Sequence, residues 1–283
     1  MEKKSLLSLS PIGFHKIAYM EWGSIDAPRT IICVPGLTRN SRDFDILAQE
    51  LGVRNNARII CPDLPGRGES AWLGDSRYYN HQQYIIDLTA LIARLNVASV
   101  TWIGTSIGGL LGMYLAAQIN TPIDSLVLND VGPVIPRAAV ARISKYTKKN
   151  KNFLNLDAAQ NYLRSIYGSG EKLSDNIWQQ ITLHSVIQQQ DGSFALAYDP
   201  KIVRNIPKFL FFDIKLWGLW KRINCPVLVL RGQYSDVLLK TTSEQMREIG
   251  PKTEIVEIHN CGHAPMLMTQ DQIKIISNWL NHN

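Results

Sequence analysis

Short apolar runs rich in β-branched residues alternate with helical patterns over most of the chain, and this alternation restricts the possible folds most strongly. Residues 30–34, 57–61 and 99–103 are runs of this kind, and each is followed by glycine or proline. Strands that alternate with helices pair in parallel, and the helices cover both faces of the resulting sheet. The sequence therefore predicts an α/β protein whose ligands bind at the carboxyl ends of the strands.

One long segment, residues 133–222, interrupts this alternation with an irregular helical pattern. It holds 14 Lys and Arg against 6 Asp and Glu, a net charge of +8, and its densest basic stretch is residues 142–151. A solvated helix face, an electropositive approach for anionic or polar acyl substrates, or a nucleic-acid surface would each produce such a stretch. The stretch contains a single aromatic residue and no recognisable nucleic-acid module, so we expect no nucleic-acid partner.

The sequence carries little sign of a membrane or of an oxidising compartment. No apolar run reaches the roughly 18–20 residues that a spanning helix needs, and the apolar fragment at residues 6–9 is too short for a secretory signal. The four cysteines include no C-x-x-C pair, which argues against a zinc ribbon or a redox motif. We expect a cytoplasmic monomer or homodimer without stable membrane insertion.

A G-x-S-x-G motif follows the apolar run at residues 99–103. It reads Gly104-Thr105-Ser106-Ile107-Gly108, and an apolar helical pattern comes next. A serine on a tight turn between strand and helix projects its hydroxyl into a cleft at the helix N-terminus, where negative charge is favoured. Ser106 is therefore the predicted nucleophile.

A serine nucleophile needs a base, and the base needs a carboxylate that orients it. His263 lies in a loop after the strand predicted at residues 253–258, whereas His259 lies at the end of that strand and is expected to pack or be solvated. Asp236 and Asp130 both follow predicted strands. We predict Asp236 as the acid because the chain order Ser, Asp, His fits a nucleophile-elbow fold.

Two backbone N–H groups are candidates for an oxyanion hole, the pair of donors that stabilises the negative oxygen formed in acyl transfer. One belongs to Ile107, directly after the nucleophile. The other belongs to Leu37, in the loop that begins with Pro35-Gly36 after the strand at residues 30–34.

These motifs together resemble the α/β-hydrolase-fold superfamily, in its esterase-like branch with a serine nucleophile. The matching pieces are residues 34–40, 62–70, 104–109, 231–236 and 261–265. The resemblance implies a mostly parallel sheet of about eight strands flanked by helices, built from residues 1–132 and 223–283, with residues 133–222 as a helical cap, or lid. It also implies Ser106 as nucleophile, Asp236 as acid and His263 as base. Many relatives have histidine where this chain has Pro35.

The expected activity is hydrolysis of a small-molecule carboxylic ester through an acyl-enzyme intermediate, with no metal or organic cofactor. The same three residues would also serve a lactonase, a C–C bond hydrolase, an acyltransferase or a cofactor-free perhydrolase, because a fold does not determine its chemistry. A receptor that binds a ligand in the same pocket without turnover is an alternative of a different class.

Overall fold

The computed structural model describes residues 1–147, 151–168, 170, 172–206 and 210–283. The basic stretch predicted at residues 142–151 therefore lies partly outside the described residues. Residues 133–222 are called the inserted segment below.

The strands are β1 (Glu2–Ser10), β2 (Gly13–Trp22), β3 (Arg29–Val34), β4 (Ala57–Pro62), β5 (Val100–Thr105), β6 (Ile123–Asn129), β7 (Val134–Ile135), β8 (Asn152–Phe153), β9 (Val186–Gln188), β10 (Phe194–Leu196), β11 (Ile214–Lys215), β12 (Val227–Gly232) and β13 (Thr253–Ile258). Eight of them form the main sheet, in the order β1-β2-β4-β3-β5-β6-β12-β13. The pairings of β2 with β1 and β4 are antiparallel, and the remaining pairings in this sheet are parallel. The predicted fold class, a mostly parallel eight-stranded sheet, is confirmed.

The helices are α1 (Asp45–Arg54), α2 (His81–Leu95), α3 (Ile107–Ala116), α4 (Arg137–Thr147), α5 (Leu156–Tyr167), α6 (Asp175–Ser185), α7 (Trp217–Trp220), α8 (Lys240–Glu248) and α9 (Gln270–His282), with short 3₁₀ turns at Ser41–Phe44, Ser76–Tyr78 and Pro200–Val203. Among the helices in the described residues, none is long and apolar enough to cross a membrane.

Local sequence explains how the helices begin and which faces they bury. The side chain of Asn80 accepts a hydrogen bond from the Gln83 N–H at the start of α2, and Leu88, Leu91 and Leu95 on one stripe of that helix are buried. An Asn side chain at this position satisfies a backbone N–H that has no partner within the helix. The sheet therefore has apolar packing on the face that α2 covers.

The inserted segment connects β6 to β12, which are neighbours in the main sheet. It contacts the core through several polar side chains. Tyr79 donates a buried hydrogen bond of 2.6 Å to Asp199 of the segment, and the Thr38 and Tyr167 hydroxyls lie 2.8 Å apart. The carboxyl ends of the central strands, where the predicted site residues lie, therefore face this segment.

Candidate active site

The predicted nucleophile lies on a sharp turn between β5 and α3. Ser106 has φ +53° and ψ −115°, a backbone conformation that costs free energy and is found mostly at functional sites. Glycines allow the turn to be this tight. A Cβ atom at Gly108 would lie 2.1 Å from the Val34 carbonyl oxygen, and one at Gly104 would lie 2.4 Å from Gly108.

His263 lies beside this serine, at the end of the loop that follows β13. Its Nε2 atom is 3.0 Å from Ser106 Oγ, and its Nδ1 atom is 2.6 Å from Asp130 Oδ2. An ionised carboxylate can only accept a hydrogen bond, so the ring donates its Nδ1–H to Asp130 and Nε2 accepts from the serine hydroxyl. A neutral imidazole in this tautomer can take a proton from Ser106.

Asp130 is the carboxylate that contacts His263. It follows β6, and its side chain has no exposed surface. Its Oδ1 accepts from the Gly232 N–H at 2.8 Å, and its Oδ2 accepts from the Ser235 hydroxyl at 2.6 Å. Together with His263 these donors satisfy a buried charge, which is costly to bury without partners.

The prediction that Asp236 orients the histidine is wrong. The Asp236 side chain is 46% exposed and accepts a 2.8 Å hydrogen bond from Arg142 Nη2 of α4. The preceding residue, Ser235, points inward instead, because its hydroxyl oxygen accepts from the N–H groups of Val237 and Leu238 while its O–H donates to Asp130. The turn therefore directs the next side chain outward, towards the inserted segment.

The two predicted oxyanion donors lie on elements that approach each other closely. The contact between Gly108 and the backbone of Val34 brings the start of α3 against the loop that carries Leu37. Leu37, Ser106 and Ile107 line one continuous cavity. Outside regular helices and strands, no hydrogen bond between described residues is donated by the N–H of Leu37 or Ile107. Their use as an oxyanion hole stays a prediction.

A buried arginine holds the loop in which this chain has Pro35. Arg67 donates from Nε to the Leu37 carbonyl oxygen at 2.7 Å, and from Nη1 to the Pro65 carbonyl at 2.6 Å and the Tyr84 hydroxyl at 2.7 Å. Its side chain is fully buried. The Leu37 carbonyl belongs to the peptide between Leu37 and Thr38, so Arg67 holds the loop directly after the Leu37 N–H, the predicted oxyanion donor. In the sequence, the feature that could have pointed to Arg67 is its position between two glycines in a turn.

Asn129 lies next to the candidate site and was not predicted from the sequence. Its Nδ2 donates to the Pro265 carbonyl oxygen at 2.8 Å and to Thr105 Oγ1 at 3.0 Å, and its carbonyl oxygen accepts from the Ser106 N–H at 3.0 Å. It therefore ties the loop that carries His263 to the strand that carries the serine. Its only sequence signal is its place at the end of a strand, next to Asp130.

Two spaces of different character meet at Ser106. One, the apolar chamber, has a volume of about 350 Å³ and is lined largely by aliphatic side chains, among them Leu110, Val131, Ile135 and Val140. The other, the His263 cleft, has a volume of about 90 Å³ and is lined by charged as well as apolar side chains. The arrangement lets a carbonyl carbon reach Ser106 with groups extending in two directions.

Two titratable side chains in the walls of these spaces have shifted pKa values. Desolvation by the surrounding residues lowers the pKa of His81 in the chamber wall. Burial would lower the pKa of Arg39 in the cleft wall, but the adjacent Asp43 carboxylate raises it above its ordinary value. The Arg39 Nε donates to Asp43 at 2.7 Å.

His259 and His263 lie on the same loop, but in different surroundings. His259 is exposed, and among the described residues no three His, Cys, Asp or Glu side chains lie together as ligands. His263 instead makes the two contacts given above.

Known proteins that are similar in sequence and structure support the fold described above. A sequence profile of the alpha/beta hydrolase family matches residues 31–273. The chain is 39% identical over 275 residues to the 3-hydroxybutyrate-oligomer hydrolase of Cupriavidus necator, which covers 94% of this chain and 93% of that protein. Among solved structures, a protein from Rickettsia typhi has a TM-score of 0.93 at 35% identity over 100% of both chains. An alpha/beta hydrolase from Novosphingobium aromaticivorans has a TM-score of 0.87 at 33% identity over 100% of this chain and 99% of that one. The chain belongs to the alpha/beta hydrolase family.

Proposed function

We propose that this protein hydrolyses carboxylic esters through a covalent acyl-enzyme intermediate. Ser106 is the nucleophile, His263 the general base and acid, and Asp130 the carboxylate that orients the histidine. The observation that carries the proposal is the hydrogen-bonded chain from Ser106 Oγ to His263 Nε2, at 3.0 Å, and from His263 Nδ1 to Asp130, at 2.6 Å. Arrangements of this kind activate serine for attack on a carbonyl.

In the first half of the reaction, Ser106 Oγ attacks the ester carbonyl carbon while its proton passes to His263 Nε2. The carbonyl oxygen becomes negatively charged and is stabilised by the N–H groups of Leu37 and Ile107. The bond from the carbonyl carbon to the leaving oxygen then breaks, and the proton on Nε2 passes to that oxygen. An alcohol leaves, and the acyl group stays on Ser106.

In the second half, water takes the place of the alcohol. It gives a proton to His263 Nε2 as its oxygen attacks the acyl carbon, the bond to Ser106 Oγ breaks, and the serine recovers its proton. The carboxylic acid is released. Asp130 keeps the histidine in one tautomer and stabilises its charged form throughout.

The substrate proposed for a first trial is a short oligomer of 3-hydroxybutyrate. The relative from Cupriavidus necator carries that substrate in its name and matches this chain over 94% of its length. The units of such an oligomer are joined by ester bonds, which the chemistry above would cleave. We also propose that the inserted segment, residues 133–222, acts as a cap that covers the bound substrate.

The test is hydrolysis of p-nitrophenyl acetate, butyrate and octanoate, and of the 3-hydroxybutyrate dimer, by the wild type and by Ser106→Ala. We expect turnover of at least one substrate, and a loss on the order of 10⁵–10⁶-fold in the variant. His263→Ala should be similarly inactive, whereas His259→Ala, which changes an exposed histidine on the same loop, should retain activity. Turnover that survives Ser106→Ala, or none with any of these esters, would contradict the proposal.

A further inference from the structure

The two spaces that meet at Ser106 differ in which catalytic group they contain. His263 lines the cleft, and it is not among the described residues that line the apolar chamber. Ile107, which follows the nucleophile, lines the chamber. The site is therefore asymmetric about the serine, with the proton donor on one side.

This asymmetry sets the direction in which an ester binds. The leaving oxygen must receive its proton from His263 Nε2, so it must lie on the side of the histidine, within hydrogen-bond reach. The alcohol part of the ester then extends into the His263 cleft. The acyl chain extends to the other side of Ser106, into the chamber.

The linings show what each part of the substrate should look like. None of the described residues that line the chamber is Asp, Glu, Lys or Arg, so the chamber suits an apolar acyl chain. The described residues lining the cleft include the cations Arg39 and Arg142 and the carboxylate of Asp43. An alcohol that carries a polar or negative group fits this side.

The two cations of the cleft are not equivalent. Arg39 is buried and bound to Asp43, which lines the same cleft, so their charges cancel within it. Arg142 also lines the cleft, and one of its partners, Asp236, is not among the described residues of that lining. The side chains of this second pair are 45% and 46% exposed, and exposed pairs of this type are weak enough to exchange with another anion.

We infer that the preferred substrate is an ester between an apolar acyl group and a hydroxy acid, and that Arg142 binds the carboxylate of the departing hydroxy acid. The inference rests on the proposed ester hydrolysis and adds the orientation and charge of the substrate. Asp236 holds the Arg142 guanidinium at the cleft in the absence of substrate, and the substrate carboxylate competes with it. A planar guanidinium suits this role because it matches a carboxylate geometrically.

The test compares two substrates of the same shape at low ionic strength. One is 3-(butanoyloxy)butanoate, whose leaving alcohol is anionic, and the other is the corresponding carboxamide, whose leaving alcohol is neutral. The measured quantity is the ratio of kcat/KM for the anionic substrate to kcat/KM for the neutral one. We expect the wild-type ratio to exceed one.

Three variants separate the recognition of charge from other effects. Arg142→Gln should lower the ratio by about 10- to 100-fold, the range for a hydrogen bond to a charged group. Asp236→Asn should raise the ratio, because it removes the competing carboxylate. Arg77→Gln is the matched control, since Arg77 also forms an exposed ion pair with a nearby aspartate but lines neither space; it should leave the ratio unchanged.

The inference is overturned if the wild-type ratio is near one, or if Arg142→Gln and Asp236→Asn do not change the ratio. The proposed ester hydrolysis still stands after such a result, provided that turnover depends on Ser106. Parallel loss of both activities in Arg142→Gln would likewise overturn the inference, because the arginine would then only hold the inserted segment in place. If Ser106→Ala hydrolyses both substrates as well as the wild type does, the proposed ester hydrolysis fails first, and the inference fails with it.

Discussion

Two loops at the carboxyl ends of adjacent strands each carry an aspartate, and the structure gives the two residues opposite environments. Asp130 follows β6 and is fully buried, whereas Asp236 follows β12 and is 46% exposed. The strands pair in parallel, with Leu230 opposite Asn129, so both loops begin close to His263. Proximity to the histidine therefore does not decide which carboxylate contacts it.

The two loops differ in which residue turns its side chain inward. In the loop after β12 this residue is Ser235, which donates its hydroxyl to Asp130. The end of β12 and the loop after it therefore support Asp130, since they contribute the Gly232 N–H and this hydroxyl. The two loops form one carboxylate site, in which one supplies the acid and the other supplies its hydrogen-bond donors.

Among the substitutions that test this pair of loops, Asp130→Asn should have the largest effect. Asparagine keeps the shape but can no longer accept the Nδ1–H of His263 as a carboxylate does, so it allows the wrong tautomer and leaves the charged ring unsupported. We expect kcat on p-nitrophenyl butyrate to fall by about 10⁴-fold, with the circular dichroism spectrum unchanged. If Asp130→Asn keeps activity within tenfold of the wild type and Asp236→Asn abolishes it, the roles of the two loops must be exchanged.

Local signals made much of the fold and the site predictable. Strands such as β3 and β5 are runs of buried apolar residues, and their predicted positions match the structure to within about two residues. Ser106 and His263 were predicted because each lies in a short motif directly after a strand. The antiparallel strand β1 was not predicted. At this edge of the sheet Leu7 and Leu9 are exposed while Ser8 and Ser10 are buried, the reverse of the pattern that polarity alone would indicate.

The choice between Asp130 and Asp236 could not be made from local signals. Both follow apolar strands, and both lie between Ser106 and His263 along the chain, so the order Ser, Asp, His does not separate them. Which side chain faces inward depends on the hydrogen bonds that Ser235 makes within its turn, and on the position of Arg142 in a helix 94 residues earlier. Neither condition is visible in the residues around Asp236.

Asn129→Ala should have the next largest effect, because Asn129 fixes the position of His263 relative to Ser106. Losing its hydrogen bond to Pro265 would let the histidine loop shift, and a displacement of about 1 Å can cost on the order of 10²-fold in rate. We expect the loss mainly in kcat rather than KM. Thr105→Val removes only the other hydrogen bond of Asn129 and should cost less. Equal losses in the two variants would show that the link to the histidine loop is not the important one.

Ser235→Ala tests the support that one loop gives to the other. The variant removes one of the donors to Asp130 and also leaves the N–H groups of Val237 and Leu238 without their acceptor. We expect kcat to fall by about tenfold and the free energy of unfolding to fall by about 1–3 kcal/mol, the cost of buried groups left unsatisfied. Ser5→Ala, at an exposed position on β1, is the control and should change neither quantity. An unaltered kcat in Ser235→Ala would mean that Gly232 and His263 suffice to hold the carboxylate.

Asp236→Asn should have the smallest effect on a neutral ester such as p-nitrophenyl butyrate. The substitution breaks the ion pair with Arg142, but both side chains are about half exposed, and exposed ion pairs contribute only about 0–1 kcal/mol to stability. We expect kcat within about threefold of the wild type and a thermal midpoint lowered by no more than a few degrees. Kinetics and thermal denaturation of the same preparation measure both. A loss approaching that of Asp130→Asn would mean that the Asp236 carboxylate turns inward during the reaction, so that the inserted segment and the histidine compete for it.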